Sequence, residues 1–186
     1  MIVIFEGQDK AGKTTLIDAL EKSLQEAGYT VHRRKFSGPM QSELDYLIPL
    51  LRDENDPMTI HIYDRGWVSE YVYATLLNRE STLKGEEGAR AERIFSSIVD
   101  RGYGVKIIVA PLDIDELIPL RDYTDMPTDP YQELDLFTNY AVHWGWVIVP
   151  TEYNYYNLKW NCSWLLKRIT QQYEALKRKT NEQNIR

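Results

Sequence analysis

The sequence predicts an α/β domain built on a parallel β-sheet. Three observations carry that prediction. Short runs of β-branched and aromatic residues alternate with segments of three- and four-residue apolar spacing. The strand runs are apolar on successive residues, as strands buried on both faces are. No repeat, linker or composition shift divides the 186 residues. Parallel neighbours need right-handed crossovers, so helices are expected on both faces of the sheet.

The elements follow in order. Ile2-Val-Ile-Phe5 is a short apolar run and reads as a strand. Gly7 to Gly12 break it. From Lys13 the spacing becomes helical, with Leu16, Ile17, Leu20 and Leu24 on one side, and Gly28 stops the helix. Tyr29 to Phe36 reads as a second strand. Leu44, Leu47, Ile48 and Leu51 suggest a short helix that Pro49 should weaken or shift. Thr59-Ile-His-Ile-Tyr63 is a third strand, met at once by Asp64-Arg65-Gly66. Trp67 to Asn78 is aromatic with helical spacing. A polar loop from Asn78 to Gly88 precedes a helix carrying Ile94, Phe95, Ile98 and Val99. Val105 to Ala110 is a fourth strand and Trp146 to Val149 a fifth. Between them, Asp113 to His143 mixes helical spacing with prolines. The last helix carries Leu165, Ile169, Tyr173 and Leu176, and its polar tail from about Lys177 is expected to fray.

Composition narrows the class of function. Lys+Arg number 22 against 28 Asp+Glu, for a net charge of −6. That balance argues against a polymeric nucleic acid as partner, which needs clustered positive charge. It leaves room for a local basic pocket holding one small anion. A single cysteine, Cys162, excludes an internal disulfide. No run approaches the ~20 apolar residues of a membrane span, and no signal peptide is read at Met1. The expected setting is cytoplasmic.

The strongest motif is Gly7-Gln-Asp-Lys-Ala-Gly12-Lys13-Thr14, which fits G-x-x-x-x-G-K-[ST] between a strand and a helix. Backbone N–H groups of residues 8–14 can ring a phosphate, and Gly7 and Gly12 permit the dihedrals this needs. The helix N-terminus adds partial positive charge. Lys13 can bridge the outer phosphates, and the Thr14 hydroxyl can ligate Mg²⁺. The plain alternative is a glycine-rich turn. The candidate nucleotide-binding residues are Gly7, Gln8, Asp9, Lys10, Ala11, Gly12, Lys13, Thr14 and Thr15. By itself the loop implies only a nucleoside triphosphate.

The neighbouring residues say more. Phe5-Glu-Gly-Gln-Asp-Lys-Ala-Gly-Lys-Thr-Thr15 resembles the F-E-G-x-D-x-x-G-K-[ST]-T run of thymidylate kinases. Asp64-Arg65-Gly-Trp-Val-Ser69-Glu-Tyr-Val-Tyr73 resembles their D-R-x-x-x-S-x-x-A-[YF] motif, with Val72 where the family prefers Ala. The resemblance is strong over residues 2–28 and 59–78 and topological elsewhere. It implies a P-loop kinase fold with a five-stranded parallel sheet in the order 2-3-1-4-5. It also implies ATP and Mg²⁺ as cofactors, a deoxynucleoside monophosphate as substrate, and a homodimer as a common assembly.

Particular residues take roles by the same resemblance. Asp64, at a strand end, can join Thr14 in holding Mg²⁺, and Arg65 can fork two phosphoryl oxygens. The bland reading of Asp64-Arg65 is a surface ion pair. Lys10 stands where some family members carry a catalytic Arg; it keeps the charge but not the fork. Lys10, Lys13, Asp64 and Arg65 are therefore the candidate catalytic residues. Asp9 resembles the loop aspartate near the acceptor sugar, and Tyr73 the aromatic that crowds a 2′-hydroxyl. Ser69 belongs to the same motif.

The acceptor is read from an absence. Deoxynucleoside kinases place a base, a glutamate, just after the second strand. Here Val31-His-Arg-Arg-Lys-Phe36 offers Arg33, Arg34 and Lys35 and no carboxylate. A phosphate acceptor needs no base, so a monophosphate is favoured. The alternative for the triplet is a solvated edge strand. Thymidylate kinases usually carry an extra long helix between the second and third strands, and this chain has too few residues for it. Phe36, Tyr46, Trp67 and Tyr71 are candidates for stacking on a base.

After the fourth strand, Val109 to Arg121 resembles the segment leading into the family's lid, expected over about 113–143. Arg121 matches the arginine over the donor nucleotide. Asp122 to Pro130 is acidic and has no further arginine. Tyr153 to Asn157 follows the fifth strand, where P-loop kinases place the adenine. His32, His61 and His143 show no metal-ligand spacing. Two other classes stay open: a kinase for a deoxynucleoside or another small alcohol, and an ATP-switched binding protein.

Overall fold

The computed structural model describes residues 1–37, 42–56, 58–121, 128–152 and 155–184. Five strands form one sheet: β1 (Ile2–Gly7), β2 (Val31–Lys35), β3 (Ile60–Asp64), β4 (Gly104–Pro111) and β5 (Val147–Thr151). All neighbours are parallel, in the order β2-β3-β1-β4-β5. Among the described residues seven α-helices surround it: α1 (Lys13–Glu26), α2 (Leu44–Glu54), α3 (Trp67–Leu76), α4 (Glu86–Asp100), α5 (Ile114–Leu117), α6 (Pro130–Trp144) and α7 (Tyr155–Asn184).

Burial explains the strand sequences. β1, β3 and β4 lie inside the sheet and are buried at every residue. β2 and β5 are edges and only partly covered. On one face Val3, Phe5, Ile62 and Ile107 pack against Leu16 and Leu20 of α1 and Leu165 and Ile169 of α7. On the other, Ile2, Ile4 and Ile108 meet Val72 of α3, Phe95 of α4 and Phe137 of α6. Removing water from these side chains is the main stabilising term, about 25 cal/mol per Å² of apolar surface.

Two elements differ from expectation. Helix α2 runs straight through Pro49, although the ring removes one backbone donor. Leu47 and Leu50 bury its inner face, and that packing outweighs the lost bond. The polar tail of α7 does not fray at Lys177; the helix continues to Asn184. The segment expected as a lid carries the helical spacing read there. Its second half is α6, whose Phe137 and Ala141 are in the core. Residues 122–127 of that segment lie outside the described residues.

A buried ion pair lies under the α4–α6 face. Lys106 Nζ is 3.0 Å from Glu92 Oε1, and the Trp67 and Trp146 indoles also donate to Glu92. The satisfied network lets two charges persist in an apolar layer. Among the described residues no helix is long and apolar enough to cross a membrane.

Candidate active site

The site forms at the carboxyl ends of the central strands. β1 ends at Gly7, with φ 134°. A Cβ there would lie 2.0 Å from the Val109 carbonyl oxygen of β4, so the chain can pass only as glycine. Lys10 and Gly12 are left-handed, at φ 64° and 79°, and these turn the loop back over the start of α1. Gly12 is the residue before α1 and carries no side-chain cap, so the helix N-terminus opens onto the loop.

The loop is held from outside by late parts of the chain. The Gln8 amide donates to the Pro130 carbonyl at 2.6 Å. The Asp9 N–H lies 3.1 Å from Glu133 Oε1 and 3.1 Å from the Tyr73 hydroxyl. Thr151 Oγ1 of β5 is 2.8 Å from the Ala11 carbonyl and 3.1 Å from that of Ala110. Tyr73 in turn donates to Glu133 at 2.6 Å, and burial with the Glu133 charge raises its pKa well above the usual value.

Lys13 is buried, its Nζ 3.4 Å and 3.5 Å from the Gly7 and Gln8 carbonyls. Burial pushes its pKa down to about 8, Arg65 pushes the same way, and Asp64, Glu6 and Asp9 oppose. Across the cleft, Asp64 ends β3 and Arg65 follows at φ 75°. Arg65 Nη2 is 3.2 Å from Asp9 Oδ1, which ties the two motifs together. Arg33 Nη2 donates to Asp64 Oδ2 at 2.7 Å, and Arg33 Nη1 to Asp18 at 2.5 Å.

One cavity of ≈ 360 Å³ is lined by Asp9, Lys10, Gly12, Lys13, Thr14, Thr15, Lys35, Asp64 and Arg65. Four cations face two carboxylates there, in a chain whose net charge is −6. The positive-φ loop, the open helix end and that charge fit a triphosphate. Thr14 and Asp64 bring a hydroxyl and a carboxylate to the same cavity, a donor pair that suits Mg²⁺.

No protein-family model matches the sequence, and no curated protein matches it. Solved structures do resemble it. The YorR protein of Bacillus subtilis, in complex with phosphorylated GDP, is similar with a TM-score of 0.60 at 19% identity, over 94% of this chain and 96% of that one. Thymidylate kinase from Ehrlichia chaffeensis is similar with a TM-score of 0.51 at 16% identity, over 91% of this chain and 98% of that one. The fold is that of the P-loop kinases.

Not every sequence candidate reaches the cavity of this P-loop kinase fold. Gln8 and Ala11 are buried in the loop's underside. Ser69 is buried and donates to Glu6 Oε2 at 2.5 Å. Tyr73 sits behind the loop, with the Arg65 guanidinium 5.6 Å from its ring centroid. Phe36 stacks on Tyr63 at 5.6 Å, at the end of the edge strand. Arg121 is also buried: Nη1 donates to Glu133 at 2.6 Å and Nη2 to Thr128 at 2.9 Å. Among the stacking candidates, Tyr46 and Trp67 belong to the core, and Tyr71 lines a second cavity between α3 and α6. Tyr153 and Asn154 lie outside the described residues.

Two members of the basic triplet are already engaged. Arg34 forks Asp53, with Nε at 2.7 Å and Nη2 at 3.1 Å, and Arg33 is held by Asp64 and Asp18. Lys35 alone of the three lines the cavity. Sequence reasoning missed Glu6, Glu133 and Thr151. Glu6 is fully buried and accepts from the Val68 N–H at 3.0 Å and from Ser69, so it anchors the start of α3 behind Arg65. Its place in the F-E-G run was a readable signal. Glu133 and Thr151 had none, because the loop residues they hold, Asp9 and Ala11, are 124 and 140 residues away.

Proposed function

We propose that the chain is a nucleoside monophosphate kinase. It moves the γ-phosphoryl group of ATP to the phosphate of a deoxynucleoside monophosphate and releases ADP and the diphosphate, as thymidylate kinases do. One observation carries this reading: Lys13 and Thr14 of the loop share a cavity with Asp64, Arg65 and Lys35. Donor and acceptor phosphates then meet in one positively charged cleft.

Each residue has a task within it. The loop amides and Lys13 hold the β- and γ-phosphates, and Lys13 neutralises charge as the phosphoryl group departs. Thr14 and Asp64 would hold Mg²⁺, which would supply charge neutralisation at the phosphates. Arg65 and Lys35 receive the acceptor phosphate. That group is an oxyanion and needs no general base, which suits a cleft where Asp9 is already paired with Arg65. Lys10 is exposed at the loop's tip and adds its charge at the transferred phosphoryl group, while Arg121 is committed to Glu133. Arg121 acts through Glu133, which orients the Asp9 amide. Tyr73 sets the back wall near the sugar.

The test is an acceptor screen with MgATP. Normal and modified deoxynucleotides, ribonucleotides, free nucleosides and a blank are compared for ADP and product. The expected result is turnover that depends on a nucleoside monophosphate and falls by about 10²–10³ in Lys13→Ala and in Arg65→Ala. Turnover confined to nucleosides selects an alcohol kinase. Slow hydrolysis indifferent to any acceptor selects a nucleotide switch. Either result overturns the proposal.

A further inference from the structure

A second cluster of ligating side chains lies on the opposite face of β3 from Asp64. His32 and His61 are direct register partners on β2 and β3, and their rings meet edge to face at 5.7 Å. Side chains alternate along a strand, so His61 and Tyr63 look toward α2 while Ile62 and Asp64 look toward α1. Asp53, in the last turn of α2, meets them there.

His61 is the unexplained member. Its side chain is 5% exposed. Nδ1 lies 3.2 Å from Asp53 Oδ2 and Nε2 3.3 Å from Asp56 Oδ2, yet neither nitrogen makes a hydrogen bond of acceptable geometry. A neutral imidazole offers one N–H and one lone pair. In either neutral tautomer a lone pair confronts a carboxylate oxygen. A cation set between Nδ1 and Asp53 relieves it.

The spacing fits such an ion. One ligand atom each from His32, Asp53 and His61 lie within 4.8 Å of one another. A tetrahedral ion with bonds of about 2.0–2.1 Å holds its ligand atoms roughly 3.3–3.4 Å apart. The His61–Asp53 pair already meets that length, and exposed His32 has room to close in. Asp56 then takes the remaining N–H of His61, the usual way a ligating imidazole is oriented. The anion is shared, because Asp53 also accepts from Arg34, Arg52 and Tyr63. Two imidazole ligands disfavour Mg²⁺, which wants oxygen ligands, and favour a borderline ion.

We propose that His32, His61 Nδ1 and Asp53 bind one zinc-type divalent ion, with water as fourth ligand and Asp56 as orienting partner. The ion joins the edge strand β2 to β3 and to the end of α2. It is separate from phosphoryl transfer, and its failure would leave that reading untouched.

The experiment uses the full chain without a histidine tag, stripped with a chelator and dialysed against Zn²⁺ or Co²⁺ in excess Mg²⁺. The expected result is one bound ion per chain, a tetrahedral Co²⁺ absorption band and a raised Tm. His32→Ala should abolish tight binding while leaving the Tm of the stripped protein unchanged. Asp56→Asn should weaken binding by about 10–100-fold. Absence of bound zinc overturns the site, as does zinc binding that survives His32→Ala undiminished.

Discussion

Glu6 shows how one buried carboxyl leaves a mark on stability. Burial raises its pKa to about 7, against the lowering effects of the Ser69 hydroxyl and of the Lys13 and Arg65 charges. The unfolded chain ionises near 4.5, so between those values the native state holds the extra proton. Stability from this group is intact below about pH 4.5 and is lost as pH rises to 7. Glu6→Gln keeps an acceptor for the Val68 N–H and removes the titration. The Tm of Glu6→Gln relative to wild type should therefore climb between pH 5 and pH 8; a flat difference would refute the assignment. Lys10 gives the complementary case. It is exposed in the left-handed region, so Lys10→Ala should change stability by less than about 1 kcal/mol. Its kcat at saturating substrates should drop at least about tenfold, and an unchanged kcat would remove Lys10 from the chemistry.

At the level of elements, the junction of β1 with its loop tolerates least. Gly7→Ala would press a methyl into the Val109 carbonyl at 2.0 Å, with φ already at 134°. We expect a loss of more than about 2 kcal/mol in denaturant unfolding, and a loss under about 0.5 kcal/mol would mean β1 and β4 are less closely set. The fold was readable because its central strands are buried on both sides, so composition alone marked them. The order of the strands came from the resemblance, carried by the Gly7–Thr14 and Asp64–Tyr73 motifs. What escaped was whatever depended on distant pairing. Arg33 and Arg34 looked like a free cationic stretch, because Asp53, Asp64 and Asp18 belong to three other elements. Lys106 in the apolar run Val105–Ala110 was a visible anomaly, and its partner Glu92 was not. Histidine spacing gave no hint of His32 and His61 meeting, since strand register makes that contact.

Across the whole molecule, ligand binding should be legible as heat resistance. MgATP at about 100 times its Kd adds about 2.7 kcal/mol, or roughly 5–10 °C in Tm for a chain of this length. Lys13→Ala should erase that shift, and an equal shift in the variant would place the nucleotide elsewhere. The tethers of the phosphate loop have a temporal meaning as well. Gln8 is held by Pro130, 122 residues on, Asp9 by Glu133, 124 residues on, and Ala11 by Thr151, 140 residues on. The loop is made more than a hundred residues before the groups that secure it. During synthesis, at about 5–20 residues per second, it spends several seconds with its glycines in place and its braces still inside the ribosome. A growing chain therefore braces this loop as a late event, when α6 and β5 emerge and dock, and truncation before Thr151 removes one of its tethers.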